Sequence, residues 1–495
     1  DLHLCDRRQR QMCIRDRSFV LGFSFGEQIM ENTAKQYQEE TISAVCTALG
    51  EGAIGIIRIS GENALAAGEA IFKAASGRKL ADYPVNTLVY GHVYDADGSM
   101  VDEVMAVYMR APHSYTAEDV VEIQCHGGVR SLQKILSLSY AAGTRPAEPG
   151  EFTKRAFLNG RIDLVQAEAV MDIIKSRSDA ALKVAVRQQE GQLSSEVRGL
   201  RKELLDVIVN LEAVIDYPED DIEEMTFASV LDSINKTAEG VNKLLANAHT
   251  GKILREGLRV AIIGKPNVGK SSFLNCLLKE DRAIVSEYAG TTRDVIEEQF
   301  LLGGIPIVLA DTAGIRETED YVERIGVEKS RRILNEAELA IVVLDGSVPL
   351  TEEDFEILEL VKGRSYVIII NKSDLGSANI KNSLTGEFKN APVIELSAKT
   401  GAGLDFFTGW LQKFVYGSDK HLGDGIYVQN ARHENLLKNS LASMQDALNA
   451  AEAQMPYDCI MIDLRNAAGF LGEITGDTVR DEIINEIFSK FCIGK

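Results

Sequence analysis

The sequence predicts an α/β plus α fold in which a second α/β domain, with a mainly parallel sheet, is inserted into a helical domain. Three patterns indicate this. β-rich runs separated by Gly, Pro and Asp turns occupy residues 41–155. Apolar residues at helical spacing follow over 157–250. Strand and helix patterns alternate over 257–416, before a helical pattern returns at 430–495.

The chain is long enough for several domains, since single cores rarely grow beyond 250–300 residues. We expect a leader at 1–40, an N-terminal α/β domain at 41–156, and the first helical part at 157–256. The inserted α/β domain is expected at 257–416 and the second helical part at 417–495.

The first residues differ from the rest of the chain. Asp1–Arg17 is rich in arginine and lacks apolar periodicity, and Ser18–Gly26 is a short apolar patch. The apolar patch after the arginines resembles a signal or transit peptide only weakly, since no clear small-residue cleavage site follows it. We interpret residues 1–29 instead as an extraneous or mis-called leader and expect the true start at Met30.

The expected N-terminal strands are Ile54–Ser60, Glu103–Met109 and Val120–Cys125. One face of a long helix is formed by Leu193, Val197, Leu200, Leu204, Ile208 and Leu211. The β-branched runs expected as buried parallel strands are Arg259–Ile263, Ile305–Ala310, Ala340–Leu344 and Tyr366–Ile370. Thr478–Asp481 has the pattern of a capping box that would open a last helix ending near Phe491.

Composition excludes some classes of protein. The 495-residue chain is 45% hydrophobic and 26% charged, as expected for a globular protein. Its net charge of −21 argues against a protein that binds nucleic acid through its overall charge alone. No apolar run approaches transmembrane length. The seven cysteines have no C-x-x-C spacing, which favours reduced thiols and a cytoplasmic location.

A phosphate-binding loop is the clearest motif. Gly264–Ser271 fits the pattern G-x-x-x-x-G-K-S between an expected strand and an expected helix. The loop amides and the helix N-terminus would wrap the phosphates of a nucleotide. Lys270 would neutralise the β- and γ-phosphates, and the Ser271 hydroxyl would ligate Mg²⁺.

Three later motifs select the nucleotide. In Asp311–Gly314, Asp311 would lie near Mg²⁺ and the Gly314 amide near the γ-phosphate. In Asn371–Asp374, the Asp374 carboxylate would accept two hydrogen bonds from guanine, a donor pair that adenine lacks. Ser397–Lys399 would supply the Ala398 amide to the guanine carbonyl. The set predicts GTP binding and disfavours an ATPase.

The residues for hydrolysis are less clear from the motifs. In Gly290–Asp294 one threonine must complete the Mg²⁺ shell, and we choose Thr292. Ile315 stands where many small GTPases have a water-orienting glutamine, so another group must orient the water. Spacing alone leaves the choice among Glu317, Glu319, Asp320 and Glu323 open.

Several segments outside the nucleotide-binding motifs are distinctive: Gly55–Gly61, Ser114–Glu122, His126–Gly128, Pro149–Thr153, Arg155–Gly160 and the tail Phe491–Lys495. They give residues 40–495 a resemblance to the MnmE (TrmE) family of tRNA-modifying GTPases. It implies a dimerising N-terminal domain that binds 5-formyltetrahydrofolate or a related reduced folate. The implied folate-binding residues are Arg58, Glu122, Arg161 and Lys495, with Arg161 standing where the family often has lysine. The sequence does not decide whether the Cys492 thiol is packed against its neighbours or is reactive.

The resemblance also implies hydrolysis stimulated by K⁺. Its ligands would be the side chain of Asn267 and backbone oxygens in the loop containing Ser286, Tyr288 and Thr291. Glu323 would orient the attacking water, and Arg316 would support it. The predicted GTP-binding residues are Asn267, Val268, Gly269, Lys270, Ser271, Ser272, Ser286, Glu287, Tyr288, Ala289, Gly290, Thr291, Thr292, Asp311, Thr312, Ala313, Gly314, Asn371, Lys372, Ser373, Asp374, Ser397, Ala398 and Lys399.

The implied process adds an aminomethyl or carboxymethylaminomethyl group at C5 of the wobble uridine of certain tRNAs. The family acts as a homodimer with a flavoprotein partner, MnmG (GidA), which would carry much of the basic tRNA surface. Two other readings remain: an assembly GTPase that binds RNA or ribosomes without one-carbon chemistry, and a GTP-gated scaffold with negligible turnover.

Overall fold

The computed structural model describes residues 40–216, 227–280, 299–310, 334–376, 380–417, 423 and 425–495. These residues form two units. The first contains the described residues up to Met171, together with Gln189–Lys202 and Ala468–Lys495. The second contains Asp172–Gln188 and Glu203–Ala467. The five-part domain division expected from the sequence stays a prediction.

The first unit is built on a seven-stranded sheet. Its strands are β1 (Ile42–Val45), β2 (Gly52–Ser60), β3 (Phe72–Ala74), β4 (Val89–Tyr94), β5 (Met100–Met109), β6 (Val120–Gly127) and β7 (Arg145–Pro146). Their spatial order is β3-β4-β5-β6-β2-β1-β7. The neighbours pair antiparallel except β1 and β7, which run parallel.

Alternating side chains give this sheet one apolar face. Ile57 and Ile59 of β2 and Ile123 of β6 are fully buried on it, because successive side chains of a strand point to opposite faces. Helices α1 (Ala64–Ile71) and α2 (Val129–Ala141) contact β2 and β6. They contribute Ala67, Leu132 and Ile135 to the same core. The β-rich pattern of the N-terminal domain therefore predicts its sheet correctly.

Helices connect and follow this sheet. Their bounds are α3 (Glu151–Leu158), α4 (Leu164–Lys175), α5 (Asp179–Gln189), α6 (Gln192–Asp216), α7 (Phe227–Ala246), α8 (Ala248–Glu256), α13 (Ala431–Glu452), α14 (Tyr457–Thr475) and α15 (Asp481–Ser489). In the second unit, α7 contacts α13. None of the described helices is long and apolar enough to cross a membrane.

The last helix differs from its prediction. It begins at Asp481, and Arg480 occupies its N-cap position without a side-chain cap. The Thr478 hydroxyl donates to the carbonyl of Gly469 instead of capping the helix. The expected capping box is therefore wrong, since tertiary contact offers Thr478 another acceptor. In the first unit, Phe488 of α15 packs against Phe157 and Phe491.

A six-stranded sheet lies in the second unit. It comprises β8 (Leu258–Ile263), β9 (Gln299–Leu302), β10 (Ile305–Leu309), β11 (Leu339–Asp345), β12 (Tyr366–Asn371) and β13 (Val393–Glu395), in the order β13-β12-β11-β8-β10-β9. Only β9 among these strands pairs antiparallel. The neighbouring helices are α9 (Lys270–Glu280), α10 (Glu352–Glu359), α11 (Ile380–Ser383) and α12 (Leu404–Tyr416).

Both faces of this sheet are buried. Ile341 and Val343 of β11 belong to one apolar cluster, while Val342 and Leu344 belong to another. Burial on both faces explains the continuous β-branched runs in the sequence. The α/β plus α fold class, with a mainly parallel sheet between helical stretches, is confirmed.

Candidate functional site

The phosphate loop connects β8 to α9. The loop begins at Gly264, with φ +155°, and reaches the helix through Gly269, with φ +96°. Asn267 also adopts a left-handed conformation, with φ +63°. A Cβ at Gly269 would collide with the Asn371 side-chain amide, so this position requires glycine. The strand, loop and helix expected from the motif are all present.

Lys270 is the first residue of α9, and its side chain turns back into the phosphate loop. Its ammonium donates to the carbonyls of Gly264 at 2.9 Å and Lys265 at 2.7 Å. Burial lowers the pKa of Lys270. Both contacts place the ammonium at the centre of the loop, from which it can reach phosphate oxygens. Ser271 and Ser272 follow on the exposed first turn of the helix.

Asn371 joins the phosphate loop to the last motif. Its side chain is buried and donates to the Val268 carbonyl at 2.8 Å. The same side chain accepts from the Ala398 amide at 2.9 Å. The structure therefore brings three segments together: the phosphate loop, Asn371 about a hundred residues later, and the Ser397–Lys399 segment a further 26 to 28 residues along the chain.

Lys372 makes a second connection to the loop. Its ammonium donates to the Asn267 carbonyl at 2.8 Å and to the Asp345 carboxylate at 2.6 Å. Burial favours the neutral form of Asp345, but hydrogen bonds from Lys372 and Ser347 outweigh it and lower the pKa of this carboxyl. Asp345 is therefore a charged anchor for Lys372.

The sequence prediction missed Asp345. A signal exists, because Asp345 is the last residue of β11 and Asn371 is the last residue of β12, and the two are paired in register. Carboxyl ends of neighbouring parallel strands form the usual ligand edge of an α/β sheet. A polar residue in this position is therefore a candidate for the site.

Asp374 lies beside Ser397. The Ser397 hydroxyl donates to the Asp374 carboxylate at 2.6 Å. This hydrogen bond lowers the pKa of Asp374, so the carboxyl is ionised at neutral pH. An ionised carboxylate can accept hydrogen bonds from two adjacent N–H donors.

These segments surround a cavity of about 630 Å³. Such a volume is typical of a small-molecule site. Its lining residues are Gly269, Ser272, Asn275, Cys276, Lys279, Asn371, Lys372, Asp374, Leu375, Ala398, Lys399, Thr400, Gly401 and Leu404. The sequence prediction did not include the α9 residues Asn275, Cys276 and Lys279, which lie on the side of the helix that faces the cavity.

The other predicted residues of the GTP site lie outside the described ranges. They are Ser286, Glu287, Tyr288, Ala289, Gly290, Thr291, Thr292, Asp311, Thr312, Ala313, Gly314, Arg316 and Glu323. Their roles, including the Mg²⁺ and K⁺ ligands among them, stay predictions.

A second group of predicted residues meets on the N-terminal sheet. Arg58 and Glu122 stand directly opposite each other on β2 and β6, and the Arg58 Nε donates to the Glu122 carboxylate at 2.7 Å. The Arg58 guanidinium also lies over two rings, 4.8 Å from the centroid of Tyr115 and 5.4 Å from that of Phe152. Although burial favours the neutral form, Cys46 and Glu122 raise the pKa of Arg58, so the guanidinium stays charged.

Arg161 and Lys495 belong to the same region. The Arg161 guanidinium lies 4.8 Å from the centroid of Tyr115. Burial raises the pKa of the Cys46 thiol, while the positive charges of Arg58 and Lys495 act in the opposite direction. The charge of Lys495 therefore acts on the pKa of the same Cys46 thiol as the charges of Arg58 and Glu122. Cys492 is an exposed free thiol.

The parallel sheet, the glycine loop that opens a helix and the motifs around the cavity define a P-loop protein of the GTPase class. A family model described as the MnmE helical domain matches residues 164–492. A second, described as the GTP-binding protein TrmE N-terminus, matches residues 41–161.

Bacterial relatives match nearly the whole chain. The chain is 47% identical to the tRNA modification GTPase MnmE of Clostridioides difficile, over 92% of this chain and 99% of the relative. Identity to the protein of that name from Alkaliphilus metalliredigens is 48%, over 93% of this chain and 100% of the relative. Identity to the protein of that name from Geobacillus kaustophilus is 48%, over 92% of this chain and 99% of the relative. The chain belongs to the MnmE family, which confirms the resemblance read from its motifs.

Proposed function

We propose that this chain is a tRNA modification GTPase that binds GTP with Mg²⁺ in the cavity beside the phosphate loop. The Asn371 side chain is the observation that carries this proposal, because it joins the phosphate loop to the Ser397–Lys399 segment across one cavity. A nucleotide must meet both segments, one with its phosphates and the other with its base.

The described residues suit this ligand. On GTP binding, Lys270 would exchange its two loop carbonyls for phosphate oxygens. Asp374, held ionised by Ser397, would accept from the two guanine donors, and the Ala398 segment would lie against the guanine carbonyl. Mg²⁺ prefers oxygen ligands, and the hydroxyl of Ser271 on the first helical turn would supply one. Thr292 would be its second protein ligand.

We further propose that hydrolysis depends on K⁺. A cation between the phosphates would compensate the charge that develops as the γ-phosphate leaves. The exposed side chain of Asn267 is available as a ligand, and its left-handed backbone is fixed by a hydrogen bond from the Lys372 ammonium to its carbonyl. Ser286, Tyr288 and Thr291 would supply backbone oxygens, Glu323 would orient the water, and Arg316 would support that arrangement.

In the N-terminal domain we propose a site for 5-formyltetrahydrofolate or a related reduced folate. Arg58, Arg161 and Lys495 supply positive charge for the carboxylates of such a ligand. Glu122 supplies an acceptor for its ring donors. The convergence of Arg58, Glu122 and Arg161 around Tyr115 supports this assignment.

The proposed product is an aminomethyl or carboxymethylaminomethyl group at C5 of the wobble uridine of certain tRNAs. We propose a homodimer acting with a flavoprotein similar to MnmG in the cytoplasm. The net charge of −21 supports a partner that supplies basic surface for tRNA. None of the described cysteines is in a disulfide, which supports a reducing compartment.

The first test is GTP turnover by the purified protein in matched KCl and NaCl. We expect strong stimulation by K⁺ that Asn267→Ala abolishes and that Asn390→Ala, an exposed control in the same sheet domain, retains. Equal rates in both salts would contradict the K⁺ mechanism and favour a scaffold or assembly GTPase. Binding of 5-formyltetrahydrofolate, measured by calorimetry, tests the N-terminal site separately.

A further inference from the structure

The Tyr115 ring is shared by two arginines. The guanidinium carbons of Arg58 and Arg161 both lie 4.8 Å from its centroid. At this distance the negative face of an aromatic ring attracts a cation, and the attraction is stronger where the pair is shielded from water. Arg58 approaches from a strand and Arg161 from the segment after α3. One ring thus orients two cations that come from different elements.

The ring itself is held in place. The Tyr115 hydroxyl shares a hydrogen bond of 2.9 Å with the hydroxyl of Thr153, which is fully buried on α3. The next residue, Thr116, is also buried, and its hydroxyl pairs with that of Ser60 at 2.7 Å. Asn159 donates to the Thr116 carbonyl at 2.7 Å, which ties the ring loop to the segment that carries Arg161.

A buried ion pair strengthens the same loop. Arg155, only 1% exposed, pairs with Glu118 at 3.1 Å and with Glu151 at 3.0 Å. Glu118 also accepts from Ser60 at 2.8 Å. Because Arg155 and Glu151 are buried, Glu118 is only 11% exposed, and the three groups satisfy each other, they resist displacement of the loop. The ring can therefore act as a rigid support for the arginines.

The Nη1 nitrogen of Arg58 can donate a hydrogen bond to a ligand. Its Nε is bonded to Glu122, but its Nη1 is buried without a hydrogen-bond partner within the part of the chain that the structure describes. A buried guanidinium donor without an acceptor is costly. A carboxylate or carbonyl oxygen of a small ligand would satisfy it.

We propose that Tyr115 is a positioning residue of the folate site, and that it acts by holding Arg58 and Arg161 in the orientation that binds an anionic ligand. This inference rests on the proposed function of the N-terminal domain. Without the ring, the exposed Arg161 side chain would lose its preferred orientation and would have to be ordered when the ligand binds. The ligand then binds more weakly although both charges remain.

The test is binding of 5-formyltetrahydrofolate to the full chain, measured by calorimetry. Tyr115→Leu removes the ring face and should weaken binding about tenfold, because ordering Arg161 on binding would then cost about 1.4 kcal/mol. Tyr115→Phe keeps the ring face and should restore affinity to within about threefold, the loss of one hydroxyl contact. Tyr83→Leu is a matched control, since Arg78 lies 4.8 Å from that ring in the same domain.

A double-mutant cycle distinguishes positioning from a general loss of structure. If Tyr115 acts through Arg161, then Arg161→Ala should weaken binding much less in the Tyr115→Leu background than in the wild type. Additive losses would overturn the proposal. Circular dichroism and thermal unfolding of the full chain report whether the variants are folded. Should Tyr115→Leu not fold, a trifluorinated phenylalanine at position 115 preserves the shape of the ring and weakens its negative face, and the same loss is expected.

The outcomes separate the two proposals. If the wild-type chain does not bind the folate, both the folate site and this inference fail. If the wild-type chain binds it and Tyr115→Leu binds equally well, the folate site stands and the positioning role of Tyr115 is wrong.

Discussion

Lys372 shows how one side chain can join the parts of a site. Its ammonium contacts both the Asn267 carbonyl and the Asp345 carboxylate, so a base-recognition motif supports the phosphate loop directly. The Lys372 backbone is left-handed, with φ +62°, which turns the side chain back toward the loop. The geometry of the loop therefore depends on Asp345, a residue outside the four motifs.

Asp345→Asn should weaken the binding of GDP. The amide keeps the size of the side chain but removes the charge that orients Lys372, and charged hydrogen bonds contribute about 1.5–3 kcal/mol. We expect a loss of affinity of about tenfold. Asp405→Asn, at an exposed position of α12, is the control. Unchanged GDP affinity in titration calorimetry would show that Lys372 needs no carboxylate.

A second residue-scale feature is the pair formed by the exposed His126 and the largely buried carboxylate of Asp102. The His126 Nδ1 lies 2.6 Å from the Asp102 carboxylate. This hydrogen bond raises the pKa of His126 above 6.5, and the charges of Asp102 and Glu103 add to the effect. The imidazolium is thus favoured in the folded protein.

This pair predicts a pH dependence. Because the folded pKa is the higher one, the stabilisation is fully present below the unfolded pKa of about 6.5. It is lost as the pH rises through the folded value. The difference in unfolding free energy between the wild type and His126→Gln should therefore shrink with rising pH. NMR titration should give a His126 pKa above 6.5 that falls in Asp102→Asn; an unchanged pKa in that variant would rule out the pair.

At the scale of elements, helix α12 begins at a glycine that the fold requires. Gly403 occupies its N-cap position with φ +88°. A Cβ there would collide with the carbonyl of Glu395, the last residue of β13. Gly409, inside the same helix, has open space around its Cα. Two glycines in one helix thus face opposite physical constraints.

Alanine at these two positions should have opposite effects. Gly409→Ala should raise the free energy of unfolding by up to about 1 kcal/mol, because alanine favours helix over glycine. Gly403→Ala should lower it by more than about 1 kcal/mol, through left-handed strain and the collision. Denaturant titration compares both with the wild type. Equal effects of the two substitutions would contradict the role of Gly403.

At the scale of the whole molecule, chain order and spatial grouping differ. The last 28 residues, Ala468–Lys495, belong to the unit that contains the N-terminal sheet. Gly150 donates its amide to the Cys492 carbonyl at 3.3 Å. Gly494, with φ +91°, approaches Val45 and Cys46 so closely that a Cβ would meet the Val45 carbonyl. The tail is therefore held against the edge of the first sheet by backbone contacts.

Gly494→Ala should release the tail. We expect weaker binding of 5-formyltetrahydrofolate, since Lys495 would move away from the site, and unchanged GTP turnover by the isolated chain. Gly50→Ala, at a position with open space, is the control. Retention of folate affinity in Gly494→Ala would show that the site does not need the tail in this position.

The local pattern of the sequence was sufficient to predict much of the fold. Burial on both faces makes the strands of the parallel sheet read as apolar runs, and the phosphate loop needs glycines at set spacing. The sequence pattern fails to predict contacts between residues that lie far apart along the chain. Thr478 matches a capping box, but its hydroxyl bonds to Gly469, because a nearby tertiary acceptor competes with the local one.

The sequence by itself determined the fold class, the family and the motifs of the nucleotide site. The reason is physical: periodicity and loop composition are local properties of the chain. The folded structure was needed to show that Asp345 anchors Lys372 and that Arg58 and Arg161 both lie against the Tyr115 ring. Those contacts join residues separated by tens of positions, and their geometry is set by sheet register and packing rather than by any pattern along the chain.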